Sequence, residues 1–203
     1  RVQRFENAHS VAVRGYSDCM RIASLARHYG LSSDGVRVLD WGCGHGRVIR
    51  HFCSVEERAV PTGIDIDADN IRWAQENLPE VAFSVGPLMP PTAFAEGAFD
   101  LVYGISVMTH LTADVQIAWL REIRRILAPG GLALLTCVVE MLTTDGRSWA
   151  ARSAKLSGAV RAWARAPGAG IRESPAATNP RKAAERREFS LLINALPPGG
   201  HTG

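Results

Sequence analysis

The stretch Val38-Leu39-Asp40-Trp41-Gly42-Cys43-Gly44-His45-Gly46 decides how this chain is read. Val36 to Trp41 is a short β-prone run that ends in a glycine cluster, and Arg47 to Cys53 can follow as a helix, so the order is strand, glycine loop, helix. The glycines permit positive φ and let the backbone pass close to a ligand with no side chain in the way. The helix N-terminus behind them offers unpaired amides.

The same alternation continues on both sides of that loop. Ser17 to Tyr29 predicts a helix, with Cys19, Ile22, Ala23 and Ala26 at helical spacing, Ser17 as its cap and Gly30 at its end. Ala59 to Ile66 predicts a second strand and Ala68 to Leu78 a helix, capped by Asp67, with Ile71, Ala74 and Leu78 facing inward. Val81 to Val85 predicts a third strand, followed by the Pro-rich loop GPLMPPTAFAEG, and Phe99 to Ile105 a fourth. Ala113 to Leu127 is amphipathic through Val115, Trp119, Ile123, Ile126 and Leu127, is closed by Pro129-Gly130-Gly131, and leads to a fifth strand from Leu132 to Val139. Apolar strands alternating with helices imply an α/β fold with a doubly wound, mainly parallel sheet. Ligands of such sheets bind beyond the carboxyl ends of the strands, where each of the motifs here falls.

Two kinds of nucleotide-type cofactor use a glycine loop of this sort, and the residues separate them. A dinucleotide fingerprint needs GxGxxG, but the position of its third glycine is Arg47 and the spacing is GxGxG. Asp40, two places before the first glycine, would sit badly beside a pyrophosphate; it suits S-adenosylmethionine (SAM), which has no phosphate and carries an ammonium and a sulfonium. Asp65, at the end of the second strand, can accept hydrogen bonds from both ribose hydroxyls of an adenosine cofactor.

Taken together, VLDWGCGHGR, TGIDIDADNI, FDLVYGISVMTHL and REIRRILAPGGLALLT resemble the successive motifs of class I SAM-dependent methyltransferases, in order, over residues 36–139. The resemblance implies a Rossmann-like, seven-stranded sheet and SAM as cofactor. It further implies that the loop residues Gly42, Cys43, Gly44 and Gly46, with Asp40, meet the methionine part, that Asp65 holds the ribose, and that Ile66 packs on the adenine. Two features depart from the family: Gly86-Pro87-Leu88 stands where many members carry a polar residue for the adenine amino group, and residues 146–203 do not resemble the final helix and antiparallel strand pair. The domains read as 1–145, the SAM-binding domain with its N-terminal helix, and 146–203, a basic Ala/Arg/Gly/Pro-rich tail expected to be solvated or poorly ordered, or else a truncated or altered end that leaves the fold incomplete.

Methyl transfer from a sulfonium is an in-line displacement, for which an enzyme supplies proximity, alignment and a dry site. His110, just past the fourth strand, is the candidate general base or acceptor-orienting group; otherwise it hydrogen-bonds at the start of the next helix. Ser106 is a candidate contact to the cofactor's methionine end, or else a strand-end turn residue. His45, inside the loop, reads as a variable loop side chain, the alternative being contact with cofactor or substrate; Cys43 reads as a small buried residue and not a nucleophile, and Tyr103 and Trp119 as core.

Composition narrows the remaining classes. The 203 residues are 46% hydrophobic, enough for one substantial core with something appended. The four cysteines, Cys19, Cys43, Cys53 and Cys137, form no CxxC or Cys/His cluster, so no metal site or disulfide framework is expected. The polar opening RVQRFENAHS has no apolar segment behind it, and no apolar run approaches the roughly 18 residues of a membrane span. A cytoplasmic protein is expected. Residues 1–146 carry 13 Arg and 17 Asp/Glu, net −4, and residues 147–203 carry 10 Lys/Arg and 3 Glu, net +7. The basic tail lacks the interleaved aromatics of a nucleic-acid surface, so the expected partner is a small-molecule methyl acceptor, with the oligomeric state left open. Within the tail, Gly146 to Ala166 reads as a helix, Pro167 to Pro180 as a linker, and Glu188 to Leu196 as helix or strand. The competing classes are a catalytically silent SAM-binding or scaffold protein and an NAD-dependent oxidoreductase.

Overall fold

A computed structural model describes residues 8–32, 34–138, 169–173 and 188–195. The chain divides into two compact units, Arg1–Leu88 and Met89–Gly203.

The first unit contains α1 (Ala8–His28), β1 (Arg37–Trp41), a 3-10 turn (Ile49–His51) that runs into α2 (Phe52–Val55), β2 (Val60–Asp65), α3 (Ala68–Asn77) and β3 (Ala82–Val85). Its strands lie in the order β3-β2-β1, all parallel, with Leu39 opposite Thr62 and Gly63 opposite Phe83. Val38, Leu39, Asp40 and Trp41 are all buried, as a strand covered on both faces requires. Where the sequence predicts a helix over 47–53, the backbone first tightens into the 3-10 turn, with His51 N donating to Val48 O, and only then closes α2.

Helix α1 begins nine residues before its expected start, so Ser17 lies inside it and caps nothing. The buried face of Cys19, Ile22, Ala23 and Ala26 continues upstream through Gly15. Gly15 weakens the helical pattern in the sequence, yet packing requires it: a Cβ there would lie 2.2 Å from the carbonyl oxygen of Arg47. The helix ends as expected at Gly30, φ +88°, where Gly30 N donates to Arg27 O and Leu31 N to Ala26 O, a Schellman closure. Helix α3 is capped by Asp67, whose Oδ1 accepts from Asp69 N at 2.9 Å and Asn70 N at 3.2 Å.

The second unit contains β4 (Phe99–Gly104), a 3-10 turn (Met108–His110), α4 (Ala113–Ile126), β5 (Leu127–Val138), β6 (Ala169–Glu173) and β7 (Glu188–Ala195). The order is β4-β5-β7-β6, with β4 and β5 parallel and β7 antiparallel to both of its neighbours. Strand β5 starts at Leu127, not Leu132. Pro129-Gly130-Gly131 is therefore not a break between helix and strand but an irregularity inside the strand, where the pairing passes from Phe99 opposite Leu127 to Leu101 opposite Leu132. Gly130 has φ +80°, and a Cβ on Gly131 would meet Ala128 O at 2.8 Å.

The tail also departs from its sequence reading. The stretch expected to be a linker contains β6, and the segment read as helix or strand is β7; together they form the antiparallel pair that the sequence does not reveal. Strand β7 pairs along β5 from Leu132 opposite Asn194 to Val138 opposite Glu188. The helix expected over 146–166 lies outside the described residues.

The Pro-rich loop is anchored to α4 by one buried carboxylate. Glu122 Oε1 accepts from Thr92 N at 2.8 Å and Thr92 Oγ1 at 2.5 Å, while Arg125 donates to both Glu122 oxygens and to Phe94 O. The Arg125 guanidinium, and after it the two Thr92 donors, hold the Glu122 carboxyl down at about 2, against the burial that would raise it. This contribution to stability is complete above the ordinary value of 4.5 and disappears as pH falls toward 2. Glu122→Gln is expected to cost about 2 kcal/mol at neutral pH, and the gap to wild type should narrow in urea titrations run from pH 5 downward. A gap that stays constant over that range would show that the charge contributes nothing.

Candidate cofactor and active site

Beyond the last residue of β1 the chain reverses over the end of β2. Gly42 N and Cys43 N both donate to Ile64 O, at 2.8 and 3.0 Å, and Gly46 N donates to Cys43 O at 2.9 Å. Gly42, Gly44 and Gly46 have φ of +78°, +55° and +76°. Two of these glycines serve different ends. A Cβ on Gly44 would meet nothing within 4 Å, so this position opens onto free space, whereas a Cβ on Gly46 would lie 2.9 Å from both Leu78 Cδ1 and Phe83 Cζ.

Asp65 ties this loop to the start of α3. Its Oδ2 accepts from Gly44 N at 2.7 Å and its Oδ1 from Asp67 N at 2.9 Å, so two backbone amides fix the plane of the carboxylate. Each oxygen has more than one lone-pair direction, so both retain capacity toward a ligand. The neighbouring Ile66 is 63% exposed, an apolar side chain at the strand end with no protein cover over most of its surface. In the segment that the sequence marked as unusual, Gly86 N donates to Asp65 O at 2.8 Å, and a Cβ on Gly86 would touch Ile64.

Asp40, two residues before Gly42 in β1, is only 4% exposed, a buried carboxylate. Burial, then Asp40 and Asp65, push the Cys43 thiol far up, and burial, Glu56 and Asp40 push Cys19 up to about 12. Both stay protonated thiols, and neither can serve as a nucleophile near neutral pH. The His45 imidazole is shifted down by burial, Arg50 and Arg47, and its ring meets Trp73 edge-on at 5.7 Å. Arg47 is paired with Asp18 of α1 at 2.7 Å. Thus Asp40, Gly42, Cys43, Gly44, Gly46, Asp65 and Ile66 form one cluster in the first unit. Arg50 and Trp73 adjoin it and escape a reading by motif; Arg50's place four residues beyond Gly46, one helical turn away, is the signal that could have flagged it.

Ser106 and His110 lie in the second unit, around a single turn. Ser106 has φ +59°, a left-handed conformation costing on the order of 1 kcal/mol that is found disproportionately at functional sites. Thr109 Oγ1 donates to Ser106 O at 2.9 Å, and Gln116 Nε2 donates to Met108 O and Leu111 O, which fixes the turn against α4. His110 ends that turn, exposed, with its amide donating to Val107 O at 3.1 Å. Among the described residues no group of three or more His, Cys, Asp or Glu is placed to hold a metal, and no helix is long and apolar enough to cross a membrane.

Residues 38–131 match the family model of a methyltransferase domain. A fatty-acid O-methyltransferase from Mycolicibacterium smegmatis is 31% identical over 105 residues, covering 51% of this chain and 37% of that protein. A ubiquinone biosynthesis O-methyltransferase from Maricaulis maris is 28% identical over 123 residues, 57% of this chain and 47% of that protein. The chain therefore spans less than half the length of either relative. Among solved structures, a SAM-dependent methyltransferase from Aquifex aeolicus superposes with a TM-score of 0.58 at 16% identity, covering 86% of this chain and 89% of that one. A TehB-like SAM-dependent methyltransferase from Corynebacterium glutamicum gives 0.54 at 20% identity, covering 91% and 98%. These likenesses carry the fold, the doubly wound Rossmann-like α/β architecture expected from the sequence. With the ordered motifs, the methyltransferase-domain match over 38–131 and the shared fold make the chain similar to the class I SAM-dependent methyltransferases, a family whose cofactor is S-adenosylmethionine.

Proposed function

We propose that this chain binds SAM at the glycine loop and transfers its methyl group to a small-molecule acceptor. The observation that carries this reading is the Asp65 carboxylate, pinned by Gly44 N and Asp67 N beside the open face of Gly44. The residues fit the cofactor: Asp65 offers two fixed oxygens to a ribose diol, Ile66 an exposed apolar face to adenine, and buried Asp40 a negative charge for the ammonium end. Gly42, Cys43, Gly44 and Gly46 supply the backbone close to the methionine part, and Ser106 is assigned to that same part of the ligand. Once bound, the cofactor supplies a methyl group activated by its sulfonium. The chain's own contribution is alignment of the acceptor and exclusion of water, since an in-line displacement needs no enzyme nucleophile.

His110 is assigned to orient the acceptor and take its proton. General bases are commonly worth 10²–10⁴ in rate, but water can partly replace an exposed imidazole, so His110→Ala is expected to lower kcat about tenfold. The test combines calorimetry with S-adenosylhomocysteine and a turnover screen. Both relatives named above are O-methyltransferases, so the screen begins with fatty acids and other small molecules bearing a hydroxyl or carboxyl group. Wild type should bind S-adenosylhomocysteine and methylate at least one class of acceptor, with His110→Ala binding equally well and turning over more slowly. Binding without turnover on any acceptor would favour a silent SAM-binding protein, and no binding at millimolar ligand would remove the cofactor reading.

A further inference from the structure

Arg50 stands one helical turn beyond the last glycine of the loop. Its guanidinium donates twice to the loop backbone, from Nε to Gly46 O at 3.0 Å and from Nη2 to His45 O at 2.9 Å. These two carbonyls belong to the peptide planes on either side of the Cα of Gly46, so one planar cation fixes both planes. The guanidinium carbon also lies 5.6 Å from the centroid of the Trp73 ring, which His45 meets from its own side. Trp73 on α3 thereby flanks the two side chains that bracket the loop.

The loop has need of such a restraint. Gly44 and Gly46 have no Cβ to limit their backbone angles, so ordering them carries a larger entropic cost than at other residues. The turn as observed presents Gly44 N to Asp65 Oδ2 at 2.7 Å, two residues before the plane that Arg50 holds. Bonds from one charged donor to two carbonyls are stronger than neutral ones and favour a single conformation of the turn.

We propose that Arg50 is a positioning residue for the cofactor loop: by bridging the carbonyls of His45 and Gly46 it holds the turn in which Gly44 meets Asp65, and so prepares the loop for its ligand. The ligand part of this statement rests on the reading of the loop as a SAM site; the loop part does not. Preorganisation raises affinity by removing an ordering cost that binding would otherwise carry.

The experiment compares wild type, Arg50→Met and Arg50→Lys by NMR amide exchange at Gly44 and by calorimetry with S-adenosylhomocysteine. In Arg50→Met the Gly44 amide should exchange at least about tenfold faster, and affinity should fall about tenfold. Arg50→Lys, which can reach one carbonyl but not fork to two, should recover part of both and keeps the test open if the methionine variant folds poorly. A residue of merely structural importance would lower the melting temperature and leave Gly44 exchange, relative to the rest of the unit, and affinity at the wild-type level; that result overturns the proposal. Faster exchange with unchanged affinity overturns its ligand part. If wild type binds no S-adenosylhomocysteine, the SAM reading falls, while Gly44 exchange still decides whether Arg50 sets the loop.

Discussion

Gly46→Ala is expected to cost about 3 kcal/mol of folding stability, while Gly44→Ala, two residues away, costs about 1 kcal/mol and shows its main effect on ligand affinity. Both residues have left-handed φ, +76° and +55°, so each alanine carries a backbone penalty of about 1–2 kcal/mol. They differ in what the added methyl meets. At Gly46 it would sit 2.9 Å from Leu78 Cδ1 and from Phe83 Cζ. A flexible side chain can often yield to such a contact, but the Phe83 ring is buried and also packs closely on β2, where a Cβ on Gly63 would meet its Cδ1 and Cε1 at 2.7 and 2.6 Å. A buried ring has little room to retreat, so overpacking of roughly 1–3 kcal/mol adds to the backbone term. At Gly44 the methyl would point into open space and occupy volume assigned to the cofactor. Urea denaturation of both variants, with S-adenosylhomocysteine calorimetry, checks the pair. A Gly46→Ala variant within 1 kcal/mol of wild type would show that Phe83 has more freedom than its burial allows.

That division of labour marks a limit of the sequence. GxGxG identifies the loop, but the pattern cannot say which glycine faces a ligand and which faces Phe83, because Phe83 lies 37 positions beyond Gly46 and reaches it only through the β2–β3 register. Local signals were legible where the physics is local: Asp67 caps α3 through amides two and three residues on, and Gly30 closes α1 within one turn. They misled where a nonlocal contact overrides propensity. Gly15 looks like a weak point in a helix and is the place where α1 lies against the carbonyl of Arg47. Pro129-Gly130-Gly131 looks like a terminator and is absorbed into β5 by its pairing with β4. In the tail, β6 is five residues among prolines and glycines, and its existence depends on β7, which in turn pairs with β5. The chemistry-bearing residues divide in the same way. The place of Asp65 at the end of β2, against the glycine loop, is legible from its spacing to the glycines, whereas the hold of Arg50 on two carbonyls depends on the turn's geometry, which no motif encodes.

Asp65→Ala should weaken S-adenosylhomocysteine binding roughly a hundredfold while leaving the fold intact. In the free protein its carboxylate accepts from Gly44 N at 2.7 Å and Asp67 N at 2.9 Å; in the complex proposed above it would also accept from two ribose hydroxyls. Hydrogen bonds to a charged group contribute about 1.5–3 kcal/mol each, and water recovers part of that when the acceptor is removed, so a net loss near 2.7 kcal/mol is expected for the pair. The stability cost is smaller, about 1 kcal/mol, because the site lies at a partly exposed strand end where water can reach the two freed amides. Asp65→Asn separates charge from geometry. Its amide keeps one acceptor oxygen but turns an N–H toward either Gly44 N or Asp67 N, donor against donor, so one of the two pinning bonds is lost whichever way the group is flipped. Affinity in that variant should fall about tenfold or more and not return to wild type. If Asp65→Ala binds within threefold of wild type by calorimetry, the carboxylate is a strut between Gly44 and Asp67 alone, and the ribose must be held elsewhere.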